Sequence, residues 1–496
     1  MNQQKQNGNL IAIITMFFLF AMISFVTNLA APFGTIWKNQ YAGANTLGMM
    51  GNMMNFLAYL FMGIPAGNML VKIGYKKTAL IGMAVGFIGL LIQYFSSITG
   101  ADVDVFNMGE YAIKLNFVIY LLGAFICGFC VCMLNTVVNP MLNLLGGGGN
   151  RGNQLIQAGG ALNSLSGTLT PLFVGVLIGT VTPETAMSDV SPLLFIAMGV
   201  FVFSFIVILF VAIPEPHLSK SGAAKVKHPH SPLSFRHTVL GVICIFIYVG
   251  IEIGIPGTLN FYLADPSEKG AGILINGAAI GGAIAAIYWL LMLVGRLASS
   301  AISGKVSTRT QLTAVSATAI VFTLLAIFIP KSVGVNVPSF IYNPQEKTTE
   351  ILTNAGVPAD QVAAYIANPG SVDLTPYADT LKKEADMAPE DMVRSLETPK
   401  VPVSAFLLVL CGLCTSIMWG GIFNLAVEGL GKYTAQASGL FMMMVVGGGI
   451  LPLVQQVISD AAGYMASYWL IIAMFAYVLF YGLVGCKNVN KDIPVE

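Results

Sequence analysis

Three asparagines interrupt an apolar stretch of the chain, and their spacing is the first indication of chemistry. Asn135, Asn139 and Asn143 recur at every fourth position within LNTVVNPMLNLLG. This i, i+4, i+8 spacing places the three amides along one stripe of a helix. Pro140 lies on the same stretch and has no N–H, so the carbonyl of Thr136 loses its helical partner. The segment therefore carries several hydrogen-bonding groups in otherwise oily surroundings.

Other apolar segments repeat this pattern. FVTNLAAPF places Asn28 four residues before Pro32, which frees the carbonyl of Asn28, and Asn55 and Asn163 lie in two further segments. An amide in lipid must find a partner or face a hydrated cavity. Each amide could join two helices by a hydrogen bond. Because the amides come from several segments, we favour a polar pocket for a neutral ligand rich in hydroxyls, namely a sugar.

Two tryptophans and one acid complete the candidates that the residues themselves indicate. Trp289 and Trp419 can stack on the apolar face of a sugar ring, or pack against lipid and neighbouring helices. Glu252 is the one carboxylate that we place inside the hydrocarbon, where a charge is costly. It is a candidate site for ion coupling. The alternative is a carboxyl that titrates normally at the mouth of an aqueous cavity.

Composition places these residues in a membrane. The chain has 496 residues, of which 56% are hydrophobic and 9% charged, against about 25% charged in a soluble domain. Apolar runs of about 20 residues, long enough to cross a bilayer, recur throughout. We predict an all-α polytopic protein with twelve spans, at residues 11–36, 47–71, 78–98, 115–145, 153–180, 191–213, 238–263, 272–303, 310–330, 402–428, 434–458 and 463–486.

The chain divides around one basic loop between spans six and seven. CGFC in span four and CGLC in span ten occupy equivalent positions on either side of it, which indicates duplication. We therefore predict two pseudo-symmetric six-helix halves. The predicted divisions are an N-terminal half at 1–213, a cytoplasmic linker at 214–237, a C-terminal half at 238–486 and a tail at 487–496.

An acidic insertion, residues 331–400, separates spans nine and ten. It has few large apolar residues for a core of its own, so we expect a surface insertion; a lid or a docking site is the alternative.

The distribution of charge predicts the orientation in the membrane. With both termini in the cytoplasm, most Lys and Arg residues lie inside and most acids outside, as the positive-inside rule requires. The first apolar run is too long for a signal peptide, so we expect a multi-pass protein of the plasma (inner) membrane.

Other functional classes find little support in the sequence. The four histidines lie in or beside the central loop, and the CGxC thiols lie in apolar runs where cysteine acts as a small hydrophobe. LLGGGGNRGNQ lacks the Lys-Ser/Thr ending of a phosphate loop. We find no nucleophile elbow and no paired carboxylates within the bilayer. We expect no enzyme activity and no cofactor, metal or nucleic acid.

Several longer motifs carry a resemblance to a known family. AGNMLVKIGYKK resembles the loop between spans two and three of the major facilitator superfamily. NTVVNPMLNLLG, YWLLMLVGR, SIMWGGIFNLAVEGLG and VGGGILPLVQQVISD resemble segments of the fucose permease-like sugar transporters. The third of these motifs contains Trp419 and Asn424, so Asn424 joins the candidate substrate-binding residues.

The resemblance implies alternating access between two halves, with a sugar bound centrally. Proton-coupled members carry an Asp in span one and a Glu in span four, and Asn28 and Asn135 stand at those positions here. An amide cannot carry a proton near neutral pH, whereas Glu252 matches an acid in this span of related sugar carriers. We expect a monomeric, secondary active monosaccharide transporter coupled to protons or sodium. A facilitative carrier, a carrier of another polyol or amino sugar, and a nontransporting sugar sensor are the alternatives.

Overall fold

The structure is a computed structural model that describes residues 2–145, 149–178, 181, 184–215, 230–273, 276–302, 306–385, 387–430, 433–490 and 492–493. Helices dominate these residues: α1 Asn2–Gln40, α2 Asn45–Ile98, α3 Leu115–Leu145, α4 Gly149–Ile178, α5 Ser191–Phe210, α6 Arg236–Ala264, α7 Gly277–Ile302, α8 Thr308–Phe328, α9 Pro344–Asn354, α10 Ala359–Ala367, α11 Ala378–Ala385, α12 Val403–Thr415, α13 Met418–Val427, α14 Thr434–Met444, α15 Gly447–Ala462 and α16 Tyr464–Phe480. Two short hairpins pair β1 Asp104–Met108 with β2 Tyr111–Lys114, and β3 Gly334–Asn336 with β4 Lys400–Pro402.

Within the described residues, eleven helical spans are long and apolar enough to cross a membrane. α2 supplies two of them, while α12 with α13 and α14 with α15 each supply one. α4 occupies the place of the predicted fifth span. Together with α4, the eleven make twelve spans in two halves, α1–α5 and α6–α8 with α12–α16, so the predicted architecture is confirmed. We call the end of the bundle that carries both chain termini the terminal face, and the opposite end the insertion face.

A glycine breaks α2 where two spans meet at the terminal face. Gly74 has φ +87°, a conformation that residues with a side chain rarely adopt. The N–H groups of Tyr75 and Lys76 then donate to the carboxylate of Glu215, at 2.8 and 2.9 Å. The Lys76 ammonium donates to the carbonyl of Leu209 at 2.8 Å. These bonds join α2 to the end of α5 within the N-terminal half.

The two CGxC motifs pack in equivalent places in the two halves. The thiol of Cys127 lies 3.9 Å from the carbonyl of Gly86, which connects the fourth span to the third. The thiol of Cys411 lies 4.0 Å from the carbonyl of Ala319, which connects the tenth span to the ninth. All seven cysteines are free and buried. Cys127 and Cys411 thus donate weak hydrogen bonds to carbonyls in matching helix pairs.

The insertion has an apolar core of its own, so the expectation that it lacks one is wrong. β3 and β4 close its two ends. Between them, PADQVAAYIA contains α10 and APEDMVRSLE contains a 3₁₀ helix, Pro389–Leu396. Short amphipathic helices suffice because each places a few apolar side chains on one side. The core consists of Ile351, Leu352, Ala355, Val357, Val362, Tyr365, Leu374, Leu381, Met387 and Met392.

Part of the predicted linker cannot be compared with the structure. Residues 216–229 of the segment 214–237 lie outside those described, as does the side chain of Asn143. A 3₁₀ turn at Pro232–Ser234 precedes α6, which begins at Arg236.

Candidate functional site

A cavity of about 300 Å³ lies between the two halves at the level of the predicted site. Pockets that hold small ligands begin at about this size. We call it the central cavity. All the predicted site residues except Asn55 line it: Asn28, Asn135, Asn139, Asn163, Glu252, Trp289, Trp419 and Asn424.

α3 contributes the asparagine stripe to the wall. The Asn135 amide donates to the hydroxyl of Tyr59 at 2.7 Å, and the Asn139 amide donates to the Asn135 backbone carbonyl at 2.9 Å. The Tyr59 ring in turn stacks on Phe56, with centroids 6.0 Å apart. An amide that has used one N–H retains a second N–H and an acceptor oxygen. Both side chains are therefore oriented and still able to bind a hydroxyl.

α1 and α4 form the adjoining wall of the N-terminal half. The Asn28 amide donates to the Ser24 carbonyl at 2.8 Å and to its hydroxyl at 3.1 Å. The Asn163 amide donates to the Phe20 carbonyl at 3.2 Å. Asn163 thus connects α4 to α1 and also faces the cavity, so the two interpretations of a buried amide, helix contact and pocket wall, both describe it.

The tryptophans come from the C-terminal half. The Trp289 ring packs edge-on against Tyr288, with centroids 5.8 Å apart and planes at 89°. The Trp419 ring lies 6.3 Å from Tyr248. A Cβ added to Gly167 of α4 would lie 3.4 Å from Trp289. Backbone of the N-terminal half therefore approaches this indole closely.

Glu252 is paired with an arginine that the sequence analysis did not select. Arg296 Nη2 lies 3.7 Å from Glu252 Oε1, and both side chains are largely buried. Arg296 Nη1 donates to the Gly160 carbonyl at 2.6 Å, and Nε donates to the Ser416 carbonyl at 3.4 Å. Ser416 follows the last residue of α12, where helical carbonyls lack partners. The Arg296 guanidinium thus contacts Glu252, the break between α12 and α13 in the tenth span, and α4 of the N-terminal half.

Arg296 could have been found as a lone cation within the apolar run of span eight. Its position near the end of that run is also typical of a charge that belongs to the cytoplasmic loop.

Asn55 was predicted to line the site, but it lies elsewhere. It is 4% exposed and lines a small pocket beside Gln93 and Tyr120 within the N-terminal half. The structure does not bring Asn55 to the central cavity.

The central cavity extends to the terminal face. Its wall includes Thr308, the first residue of α8, and the exposed Asn424 of α13. Ser299 and Gln311, joined by a 2.8 Å hydrogen bond, lie between these and Arg296. A polar route therefore connects the tryptophans to this face.

At the insertion face, polar contacts join the two halves. Asp460, at the end of α15, accepts from the N–H of Asn45 at 3.2 Å and the N–H of Thr46 at 2.9 Å. It also accepts from the Asn45 amide at 2.8 Å and the Thr46 hydroxyl at 2.5 Å. Ala44 gives α2 no side-chain cap of its own. The carboxylate of one half thus caps a helix of the other, which also suits the positive end of the helix dipole.

A buried lysine extends this connection. The Lys38 ammonium, 4% exposed, donates to the Tyr464 hydroxyl at 2.8 Å and to the Phe261 carbonyl at 3.3 Å. The Tyr464 hydroxyl lies 3.1 Å from Asp265. Partial burial opposes ionisation of Asp265, but hydrogen bonds from Ser267 and the Lys38 charge lower its pKa below the usual value. We call Lys38, Asn45, Thr46, Asp265, Asp460 and Tyr464 the insertion-face latch.

The sequence matches the Major Facilitator Superfamily over residues 13–343, about two thirds of the chain. The chain belongs to this superfamily. Superfamily proteins are membrane transporters, so this chain is a transporter and not an enzyme.

Individual relatives agree with this assignment. The chain is 26% identical to a "Glucose/galactose transporter" of Brucella abortus, over 98% of this chain and 96% of the relative. It is 25% identical to a "Putative glucose/galactose transporter" of Helicobacter pylori, over 96% of each chain. The fold is similar to that of the Escherichia coli fucose:proton symporter FucP, with a TM-score of 0.58 and 17% identity over 95% of this chain and 98% of the other.

Proposed function

We propose that this protein is a secondary active monosaccharide transporter of the plasma (inner) membrane that works by alternating access. The observation that carries the proposal is the convergence of amides from α1, α3 and α4 with two tryptophans on one cavity between the halves. Its relatives named as glucose/galactose transporters support a hexose as substrate. One chain encloses the cavity, which supports a functional monomer.

The walls of the cavity suit the two faces of a sugar. Asn28, Asn135 and Asn139 offer donors and acceptors to hydroxyls on the N-terminal side. Trp289 and Trp419 offer flat apolar surfaces to the C–H face of the ring on the opposite side. A neutral ligand leaves no charge to be compensated, which fits a wall composed largely of amides, hydroxyls and aromatic rings.

We place ion coupling at Glu252 and assign the coupled ion as a proton. A carboxylate facing a cavity can take up a proton, which the amides Asn28 and Asn135 cannot. A sodium ion at Glu252 would lie beside the Arg296 guanidinium and be repelled by it. Protonation of Glu252 would remove the charge that attracts Arg296, leaving its bonds to Gly160 and Ser416. The proton would thereby free the Arg296 side chain, which contacts Gly160 of the other half, from its partner within the C-terminal half.

The insertion-face latch supplies the conformational part of the proposal. With the latch closed and the central cavity extending to the terminal face, the structure corresponds to an inward-facing state if the termini are cytoplasmic. The distribution of Lys and Arg supports that orientation. Sugar arriving from outside would require Asp460 to leave α2 and Lys38 to leave Tyr464.

Transport by purified protein in liposomes tests the proposal. We expect saturable counterflow of D-glucose or D-galactose, and uphill accumulation driven by a proton gradient but not by a sodium gradient. Counterflow without accumulation would identify a facilitative carrier and reject proton coupling. The absence of counterflow across a panel of hexoses, pentoses, polyols and amino sugars would reject sugar transport itself, as expected of a sensor.

A further inference from the structure

A second cavity, of about 480 Å³, lies between the central cavity and the insertion face. Both cavities have Thr27, Asn28, Ile253 and Trp289 in their walls, so they meet at the predicted sugar site. The volume of the second cavity is sufficient for a small ligand. It is therefore a candidate path between the insertion face and the site once the insertion-face latch opens. We call it the outer cavity.

The insertion forms the rim of the outer cavity. Ile341, Lys347 and Glu350 belong to the insertion and line this cavity together with residues of the membrane bundle. The Lys347 ammonium lies 2.5 Å from Glu350 Oε2, one turn away on α9. Their side chains are 35% and 43% exposed. A solvated pair of opposite charges thus stands where a solute would pass from the insertion face.

Contacts with the bundle hold this rim in place. The Asn276 amide donates to the Tyr342 hydroxyl at 3.0 Å, and both side chains are buried. Tyr342 packs with the apolar core of the membrane bundle, not with that of the insertion. The Lys331 ammonium donates to the Glu268 carbonyl at 2.6 Å. The insertion is therefore attached just before α9, and the charged pair has a defined position.

We propose that Lys347 and Glu350 form an outer subsite that binds the hydroxyls of a monosaccharide before it reaches Asn28 and Trp289. The proposal rests on the proposed function. A carboxylate accepts hydrogen bonds from two hydroxyls and an ammonium donates to others, so the pair presents both kinds of group at once. Exposed ion pairs contribute little to stability, so replacing this one tests binding and not folding.

The test measures uptake of D-glucose and D-galactose from each face, in right-side-out and inverted membrane vesicles. The variant carries Lys347→Met and Glu350→Gln together. The matched control carries Lys383→Met and Glu390→Gln, two exposed residues of the insertion outside the outer cavity. In the variant we expect the apparent KM from the insertion face to rise roughly fivefold, as for one lost hydrogen bond. The KM from the terminal face should match the wild type, and the ratio of the two maximal rates should change in proportion, because a substitution cannot alter the equilibrium across the membrane. The control should match the wild type in every parameter.

A steric variant tests the path independently. Gly282 lines the outer cavity, and a Cβ added there meets nothing within 4 Å, so Gly282→Leu adds a bulky side chain to the cavity wall from an unobstructed position. We expect it to raise the KM from the insertion face while leaving that from the terminal face unchanged.

Unchanged KM values in both variants, or equal rises from both faces, would overturn the outer subsite. If the wild type shows saturable uptake in that experiment, the proposed function stands and only the subsite fails. If the wild type transports neither sugar and shows no counterflow with the wider panel of hexoses, pentoses, polyols and amino sugars, both fail.

Discussion

The guanidinium of Arg296 lies 3.7 Å from the carboxylate of Glu252 and, through its other nitrogen, 2.6 Å from the carbonyl of Gly160. Glu252 and Arg296 belong to the C-terminal half, whereas Gly160 belongs to α4 of the N-terminal half. A change in the charge of Glu252 therefore acts on a side chain that connects the halves. If Glu252 carries the coupled proton, as we propose, this arrangement would relate proton binding to the relative position of the halves without an acid in α1 or α3.

Replacing Glu252 by Gln should separate transport from coupling. We expect Glu252→Gln to retain sugar counterflow, because the sugar-binding amides and tryptophans are unchanged, and to lose accumulation driven by a proton gradient. Proton movement into liposomes, followed with a pH-sensitive dye during sugar addition, measures the coupling directly. Glu397→Gln, an exposed acid of the insertion, is the control and should behave as wild type. Sugar-driven proton movement that persists in Glu252→Gln would place the coupling site elsewhere.

Removing the charge of Asp460 should favour opening of the insertion face. Asp460→Asn weakens hydrogen bonds to Asn45 and Thr46, and a bond to a charged group is worth about 2 kcal/mol, or roughly a 30-fold change in the ratio of closed to open states. Spin labels on cysteines at Gln40 and Glu268, exposed and on opposite halves, should report longer distances.

The native cysteines are buried, so the two introduced positions should be labelled selectively. Asp102→Asn removes an exposed acid of the same face and should leave the distances unchanged. An unaltered distance distribution in Asp460→Asn would mean that the hydrogen bonds from Asn45 and Thr46 of α2 to the Asp460 carboxylate do not hold the halves together.

The asparagines of the cavity should affect substrate binding more than an asparagine outside it. We expect Asn28→Ala or Asn135→Ala to raise the KM about five- to tenfold, since each removes hydrogen bonds worth about 1 kcal/mol to the ligand. The double variant should abolish measurable uptake. Asn55→Ala is a matched control, because Asn55 is a buried asparagine of the same half that lies away from the cavity. Full-rate uptake by the double variant would reject the amide wall.

Sequence patterns were sufficient to predict the spans and most residues of the cavity wall, because hydropathy and residue spacing within a single segment determine both. The four-residue spacing of Asn135 and Asn139 determines that both lie on one stripe of α3, and hydropathy determines where α3 runs. Asn55 shows where such patterns fail, since its polarity alone does not reveal whether its side of α2 faces the central cavity. Arg296 was missed because its partners, Glu252 and Gly160, come from other helices.

The latch and the outer cavity could not be predicted from local patterns. Asp460 and Asn45 are 415 residues apart, and their contact depends on how the two halves pack. The core of the insertion depends on three short α-helices and a 3₁₀ helix that pack together, and each contributes only a few apolar side chains. These features lie at the contacts between elements, where one unaligned sequence carries the least information.

A single methyl group at Gly167 should disturb the site without weakening the fold. Its added Cβ would lie 3.2 Å from the Ser24 hydroxyl and 3.3 Å from the Asn28 amide, so these two groups must move by a few tenths of an ångström. It would also lie 3.4 Å from Trp289, in van der Waals contact with the ring. Alanine favours a helix over glycine by about 1 kcal/mol, so thermal stability should be retained. We expect Gly167→Ala to raise the KM for sugar several-fold. Gly199→Ala, where the added Cβ meets nothing within 4 Å, is the control. Equal KM values for the two variants would show that Asn28 and Trp289 do not jointly position the sugar.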